Sequence, residues 1–242
     1  MKSFVLRRLS VALAVACLVI PAWSLATRAL LHFVADFDQQ ISGGTDTPDF
    51  LAKGGVFVTQ GPPGVFDIAL DGTGEGLLVV GENVFQTPAV LTGELDEPAY
   101  NSIIDVEFIL DPAGPVSGLV VSFVDDNGGG MIDLEFEETD GGKVNIGGHS
   151  LVLSGGSTND TGDVGPLHFA LCFKSTLLNV NTWQLTLTNG LSSQAVSGFL
   201  PLTGPLSLAK VKLLRPGSSE KGTWTMDDLV IASPFDTSLV VQ

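Results

Sequence analysis

The stretch MIDLEFE, residues 131–137, alternates apolar and acidic side chains from its second residue to its last. Ile132, Leu134 and Phe136 occupy every other position, and a carboxylate directly follows each of them. Successive side chains of a β-strand point to opposite faces of a sheet, so this alternation predicts a strand with one buried face and one wet face. Such strands are typical of antiparallel sheets.

Similar short runs recur on both sides of this strand, and no stretch between them has a sustained helical period. Runs rich in Val, Leu, Ile, Phe and Thr are predicted as strands from Leu31 to Ile231. The 29 glycines and 13 prolines are spread along the chain and predict turns between the strands. A chain of strands alone predicts an all-β fold, in which two antiparallel sheets pack face to face as a jelly roll.

The first 26 residues have the pattern of a cleavable secretory signal. Three basic side chains precede an apolar segment at residues 9–20 and the small-x-small cleavage site Ser24-Leu25-Ala26. A spanning helix needs about 20 apolar residues. This run is shorter and is followed by Pro21, so cleavage is favoured over a membrane anchor. A lipoprotein alternative stays open, because residues 14–17, AVAC, resemble a lipobox.

The sequence that follows the leader predicts one β-sandwich domain at residues 27–232 and a C-terminal tail at residues 233–242. One domain is the economical count, because single sandwiches commonly run to about 200–250 residues. We expect the protein to be secreted, periplasmic or at the cell surface, with no integral membrane segment after cleavage. Cys172 is then the one remaining thiol, so no intrachain disulfide can form.

The net charge argues against one class of partner. The leader carries three of the 11 Lys and Arg residues and none of the 27 Asp and Glu residues, which leaves a formal charge of −19. Such a surface repels phosphate, so nucleic acid is not expected as a partner. Carboxylates also supply the oxygen ligands that calcium prefers.

The two ends of the predicted domain resemble those of known jelly rolls. The last strand contains WTMDDLVI at residues 224–231, and the first contains Ala35-Asp36-Phe37-Asp38. An ending of the form apolar-Asp-Asp-apolar, with an acidic residue beside Phe in the opening strand, is similar to concanavalin A-like and laminin G-like jelly rolls. It also resembles calcium-containing jelly-roll carbohydrate-binding modules. The resemblance implies a jelly-roll fold over the whole mature chain and a role in binding glycans.

The resemblance further implies that the first and last strands lie side by side, antiparallel. Asp36 and Asp38 would then approach Asp227 and Asp228. Carboxylates that come together repel one another unless they are protonated or a cation bridges them. We therefore expect a structural calcium ion held by these four residues. The alternative is that the Asp pair is a solvated strand end.

Residues 131–137 also resemble the active-site strand of the laminarinase-like retaining glucanases, whose pattern is Glu-apolar-Asp-apolar-Glu. Asp133 matches the central Asp and Glu135 matches the acid/base, but Met131 stands where the nucleophile belongs. A thioether cannot form the glycosyl-enzyme ester that retaining chemistry requires. The strand is therefore expected to be unable to cleave a glycan, although it could line a sugar-binding groove. The alternative is a solvated face of an amphipathic strand.

Sugar rings stack on flat aromatic side chains, and the mature chain has few of these. Tyr100 lies in a polar stretch predicted as a loop, and Trp224 lies near the Asp pair. Tyr100 is predicted to be exposed and Trp224 to be partly exposed, and both are predicted to bind ligand together with Asp133 and Glu135. We interpret the chain as an exported, non-catalytic module for glycan or another surface ligand. The alternatives are a structural or interaction protein of the cell surface or envelope without a small ligand and, less favoured, a glycan-cleaving hydrolase.

Overall fold

A computed structural model describes residues 29–37, 51–70, 76–113, 118–137, 142–153, 165–176, 180–190, 192–217 and 222–234. These residues form strands and turns without any helix, so none of them belongs to a helix that could span a membrane. The predicted leader, Asp38 and the tail beyond Pro234 lie outside the described residues.

The described residues contain a series of strands. In chain order they are β1 Ala29–Ala35, β2 Leu51–Ala52, β3 Gly55–Gln60, β4 Phe66–Leu70, β5 Gly76–Val80, β6 Ala89–Tyr100, β7 Ile103–Ala113, β8 Val120–Val124, β9 Gly130–Glu137, β10 Lys143–Ile146, β11 His149–Val152, β12 Leu167–Ser175, β13 Val180–Asn189, β14 Ser192–Thr203, β15 Ser207–Arg215 and β16 Thr223–Pro234.

The strands form two antiparallel sheets that pack as a sandwich, which confirms the predicted fold class. Sheet A has the order β14-β13-β12-β7-β16-β5-β4, and β1 also pairs with β16. Sheet B has the order β11-β10-β9-β8-β15-β6-β3-β2. Each pairing between neighbouring strands is antiparallel.

The core lies between the sheets and is filled by the apolar side chains of the alternating strands. Phe136 of β9 packs edge-on against Phe169 of β12, with the ring centroids 5.7 Å apart. Phe169 in turn stacks on Phe108 of β7 at 4.9 Å. Burying one such side chain stabilises a fold by about 1.5–3 kcal/mol. The alternation predicted for residues 132–137 is therefore present, with Leu134 and Phe136 buried and the carboxylates exposed.

The first and last strands lie side by side and antiparallel, as the resemblance implied. One edge of β16 pairs with β7, whereas the other pairs first with β5 at residues 224–226 and then with β1 at residues 229–234. The change of neighbour falls at a β-bulge, where Asp228 has a φ of 52°. β16 runs on to Pro234, two residues beyond the predicted end of the domain.

Tyr100 does not lie in a loop, because β6 continues to that residue. Tyr100 pairs with Ser207 and Ala99 with Leu208, but the next pair of this ladder is Glu94 with Lys210. Residues 95–98 therefore bulge out of the ladder between β6 and β15. The polar composition of this bulge made the segment resemble a loop.

Candidate functional site

A pocket of about 360 Å³ lies where β9 and β10 of sheet B meet β13 and β14 of sheet A. It combines two carboxylates, an amide, a two-glycine turn and two aromatic rings. The lining residues are Met131, Ile132, Asp133, Glu135, Asn145, Ile146, Gly147, Gly148, Trp183, Phe199 and Pro201.

The polar side of the pocket comes from β9 and β10. Asp133 and Glu135 are two residues apart on β9, so they project from the same, wet face of the sheet. Asn145 of β10 stands opposite Glu135 in the ladder, and its Oδ1 accepts a hydrogen bond of 2.5 Å from the Ser150 hydroxyl. The structure thus brings both predicted acidic residues into one pocket and adds an amide beside them.

The aromatic side of the pocket comes from β13 and β14. The side chain of Trp183 is 2 % exposed, although the residue lines the pocket. A Cβ atom at Gly147 would lie 2.5 Å from Cζ2 of this indole, and one at Gly198 would lie 2.9 Å from it. Real Cβ atoms do not come so close, so the two glycines permit the indole to lie where it does. The His149 ring packs edge-on against Trp183 at 5.7 Å.

Phe199 is the aromatic residue that the sequence analysis missed. It lies on β14, an edge strand of sheet A, and its side chain is 77 % exposed. Ser193, Ala195 and Ser197 occupy the preceding alternate positions, so Phe199 is a large ring on a face of small side chains. A large apolar residue on an otherwise small and polar strand face was the available signal for an exposed ring.

Tyr100 is exposed as predicted, but it does not line this pocket. Its hydroxyl donates a hydrogen bond of 2.5 Å to Oδ2 of Asp126 in the turn between β8 and β9. Oδ1 of the same carboxylate accepts a bond of 2.7 Å from the Ser207 hydroxyl. The bond from Tyr100, helped by that from Ser207, lowers the pKa of Asp126, and the same Tyr100–Asp126 bond raises the pKa of the phenol. Tyr100 is therefore engaged in a local polar network.

The predicted exposure of Trp224 is wrong. The side chain is 0 % exposed and packs at 4.8 Å against Phe136 of the opposite sheet. Trp224 and Met226 are inward residues of β16, whereas Thr223 and Thr225 alternate with them. Its indole N–H has no acceptor among the described residues. The ring is part of the core and cannot offer a face to a surface ligand.

The contact between β1 and β16, called the seam below, ends next to some of the predicted metal ligands. The last pair of its ladder is Ala35 with Leu229, and Asp36 and Asp228 are the residues next to that pair in the sequence. The Asp227 carboxylate accepts the backbone N–H of Asp228 at 2.8 Å. In the described part of the chain, no three His, Cys, Asp or Glu side chains come together as a metal site. The described residues alone do not fit a calcium ion, and Asp38 lies outside them.

A histidine also links the two strands of the seam. His32 Nε2 of β1 lies 2.9 Å from the hydroxyl oxygen of Ser233 on β16, within hydrogen-bonding distance. Burial lowers the pKa of His32, because desolvation disfavours the charged imidazole. A neutral ring at this position suits a contact with a hydroxyl.

A smaller pocket of about 180 Å³ lies on the outer face of sheet A, between β7, β12 and β13. It contains Cys172, whose pKa is raised to about 12 by burial and by the hydrogen bond and charge of Asp105. Burial and the charge of Asp105 also raise the pKa of Glu107. A thiol that stays protonated is a poor nucleophile, so this pocket offers no activated cysteine.

Comparison with known proteins identifies the fold and nothing narrower. Neither a protein-family model nor a curated protein sequence matches the chain. Among solved structures, a sialidase matches at a TM-score of 0.54 and 11 % identity over 87 % of this chain and 19 % of the sialidase. The carbohydrate recognition domain of Emp47p matches at a TM-score of 0.51 and 10 % identity over 86 % of this chain and 98 % of that domain.

A legume lectin-like domain from Entamoeba histolytica matches at a TM-score of 0.46 and 10 % identity, over 72 % of this chain and 88 % of that one. The chain spans only about a fifth of the sialidase, so the likeness concerns one part of that protein. Identities this low show a shared fold and not a shared activity. The chain therefore has the concanavalin A-like, lectin-like jelly-roll fold that the sequences of its two ends predicted.

Proposed function

We propose that this protein is an exported, non-catalytic carbohydrate-binding module whose ligand occupies the pocket between β9, β10, β13 and β14. The observation that carries this function is the position of the exposed Phe199 ring at the same pocket as Asp133, Glu135 and Asn145. These groups come from three strands of two sheets, so only the folded chain assembles them.

Sugars need two kinds of contact, and the pocket offers both. The C–H face of a sugar ring packs on a flat apolar ring, for which Phe199 is available at the surface. Sugar hydroxyls donate to carboxylates and both donate to and accept from amides, which Asp133, Glu135 and Asn145 supply. The Emp47p domain, which shares this fold, is named for carbohydrate recognition and supports the proposal by analogy.

The absence of catalysis is supported by the environment of Met131. This residue stands where a retaining glucanase of similar fold has its nucleophile, and its side chain is 2 % exposed. It lies in an irregularity of the β8–β9 ladder, since Phe123 pairs with Ile132 and Val124 with Gly130. Retaining hydrolysis needs two carboxyl groups about 5–5.5 Å apart across the scissile bond. A buried thioether at the nucleophile position supplies neither the charge nor the access.

A glycan array, run with and without calcium, tests the binding function directly. We expect the wild-type protein to bind a subset of the glycans and to release no shortened product on prolonged incubation. Binding to none of them under either condition would contradict the proposal and favour a structural or interaction protein of the cell surface. Release of a shortened glycan would contradict the non-catalytic part alone.

The proposal also includes a structural calcium ion at the seam, which can be tested separately from glycan binding. Asp36, Asp227 and Asp228 lie along the end of one ladder, and the ion would need Asp38 or backbone carbonyls in addition. A ligand that binds only the folded state raises its melting temperature. We expect millimolar calcium to raise the melting temperature of metal-stripped protein and to have less effect on the Asp228→Asn variant. An equal rise of the melting temperature in the two proteins, or no rise in either, would contradict the proposed calcium site.

Export is supported by the leader alone, and a mass measurement tests it. Cleavage after Ala26 would leave Thr27 as the first residue of the secreted protein. Intact mass spectrometry of protein recovered outside the cytoplasm should give the mass of residues 27–242. A lipid-modified protein that begins at Cys17 would establish the lipoprotein alternative instead.

A further inference from the structure

We infer that the pocket prefers amino sugars that carry a free, protonated amine over neutral, N-acetylated or acidic sugars. This preference rests on the proposed function, because it assigns a ligand class to the same pocket. It follows from the charges that line the pocket, from those that are kept away from it, and from the aromatic ring beside it.

Two carboxylates line the pocket without compensation. Asp133 and Glu135 have no hydrogen-bond or ion-pair partner among the described residues. They are two positions apart on one strand face, so their Cα atoms are separated by roughly 6.6–6.8 Å. An ammonium group makes charge-assisted hydrogen bonds of about 2.7–2.9 Å to each of two carboxylates. A single ammonium between the two side chains is therefore geometrically feasible.

Each lysine of sheet B stands opposite another residue in the ladders and is not part of the pocket lining. Lys143 stands opposite Glu137 in the ladder, and Lys210 forms an ion pair of 2.7 Å with Glu94. Lys212 is in register with Ser122, which is in register with Asp133. Two strand spacings of about 4.7–4.9 Å thus separate the Lys212 backbone from that of Asp133. Among the residues that the structure describes, no lysine or arginine lines the pocket itself.

The aromatic ring adds a second attraction for a cation. The exposed face of Phe199 can interact with an ammonium group through its π-electrons, in addition to packing on the sugar ring. A neutral or acetylated sugar would gain the packing but not the charge interactions. An acidic sugar would meet two carboxylates and a strongly negative protein, which repel it.

Calorimetric titration with three short oligosaccharides of equal length tests the preference. The probes are oligomers of glucosamine, of N-acetylglucosamine and of galacturonic acid, in a slightly acidic buffer that keeps the amine protonated. We expect the free-amine oligomer to bind about tenfold more tightly than its acetylated counterpart, which corresponds to two exposed ion pairs of ordinary strength. We expect no binding of the acidic oligomer, and a loss of the amine preference at high salt.

Matched variants separate the pocket from the overall negative charge. Asp133→Asn combined with Glu135→Gln should abolish the amine preference and leave binding of the acetylated oligomer in place. Glu137→Gln is the control, because it removes a charge from the same strand face at a residue that does not line the pocket. His149→Gln should preserve or strengthen the preference, since it removes a basic ring that packs against Trp183.

The outcomes distinguish this inference from the proposed function. Equal binding of the free-amine and acetylated oligomers by the wild-type protein would overturn the amino-sugar preference and leave glycan binding intact. Loss of the preference in the Glu137→Gln control to the same extent as in the double variant would also overturn it, since a general charge effect would then suffice. Failure to bind any of these oligomers or any glycan of the array would overturn both.

Discussion

Tyr100 and Phe199 are both aromatic residues of β-strands with exposed side chains, at 57 % and 77 % exposure, but their surroundings differ. The Tyr100 hydroxyl is bound to Asp126 in a network that also contains Ser207, outside the pocket. Phe199 lines the pocket, where its neighbours are Asp133, Glu135 and Asn145. An exposed ring is therefore a candidate for ligand binding only when polar groups from other strands converge beside it.

The largest expected effect is on stability, at the turn that packs against Trp183 on the aromatic side of the pocket. Gly147→Ala would place a Cβ atom 2.5 Å from the Trp183 indole, whereas Gly148→Ala, also at positive φ, would meet open space. We expect Gly147→Ala to lower the free energy of unfolding by roughly 1–3 kcal/mol more than Gly148→Ala, because overpacking forces the indole to move. Urea denaturation of both variants measures the difference. Equal destabilisation would mean that Trp183 is not held in place by this turn.

The two rings themselves provide the direct test. Phe199→Ala should weaken glycan binding by about tenfold, or ~1.4 kcal/mol, through loss of the stacking surface. The melting temperature should stay nearly unchanged, because the ring is mostly exposed. Tyr100→Ala is the matched control and should bind glycans as the wild-type protein does. If Tyr100→Ala weakens binding as much as Phe199→Ala, the ligand does not lie in the pocket.

The smallest expected effect is a pH-dependent change in stability when Tyr100 is replaced. The bonds from Tyr100 and Ser207 lower the pKa of Asp126 in the folded state below its unfolded value. Their contribution to stability is therefore present above the ordinary carboxyl pKa and is lost as the pH falls through the lowered pKa. Tyr100→Phe should show a small decrease in melting temperature at neutral pH that disappears at acid pH. A decrease that persists unchanged in acid would mean that the phenol acts through packing and not through Asp126.

Local patterns of the sequence were sufficient for the strands and the fold, because the period of two is a property of each strand alone. The alternation around Leu134 placed Asp133 and Glu135 on one wet face, as the structure has them. The pairing of the first and last strands was implied by the resemblance to known jelly rolls and not by a local pattern, and β1 and β16 do pair.

The candidate site was harder to predict, because it depends on contacts between distant strands. Nothing near Phe199 in the sequence indicates that β14 would face β9 and β10 across a pocket. Trp224 is a different case, since its alternation with Thr223 and Thr225 indicated burial. Its closeness to Asp227 in sequence suggested exposure, but Trp224 is an inward residue of β16, and the exposed position is Asp228 at the bulge.

The antiparallel pairing at the seam has a mechanical consequence. Ala29 pairs with Pro234, so the chain enters β1 and leaves β16 at the same end of the ladder. The hydrogen bonds of such a ladder run perpendicular to the strands. A force that pulls the two chain ends apart would therefore break these hydrogen bonds one after another, because it does not load all of them at the same time. Anchored by one end and stretched from the other, this domain should open at low force, beginning with the pair Ala29 and Pro234.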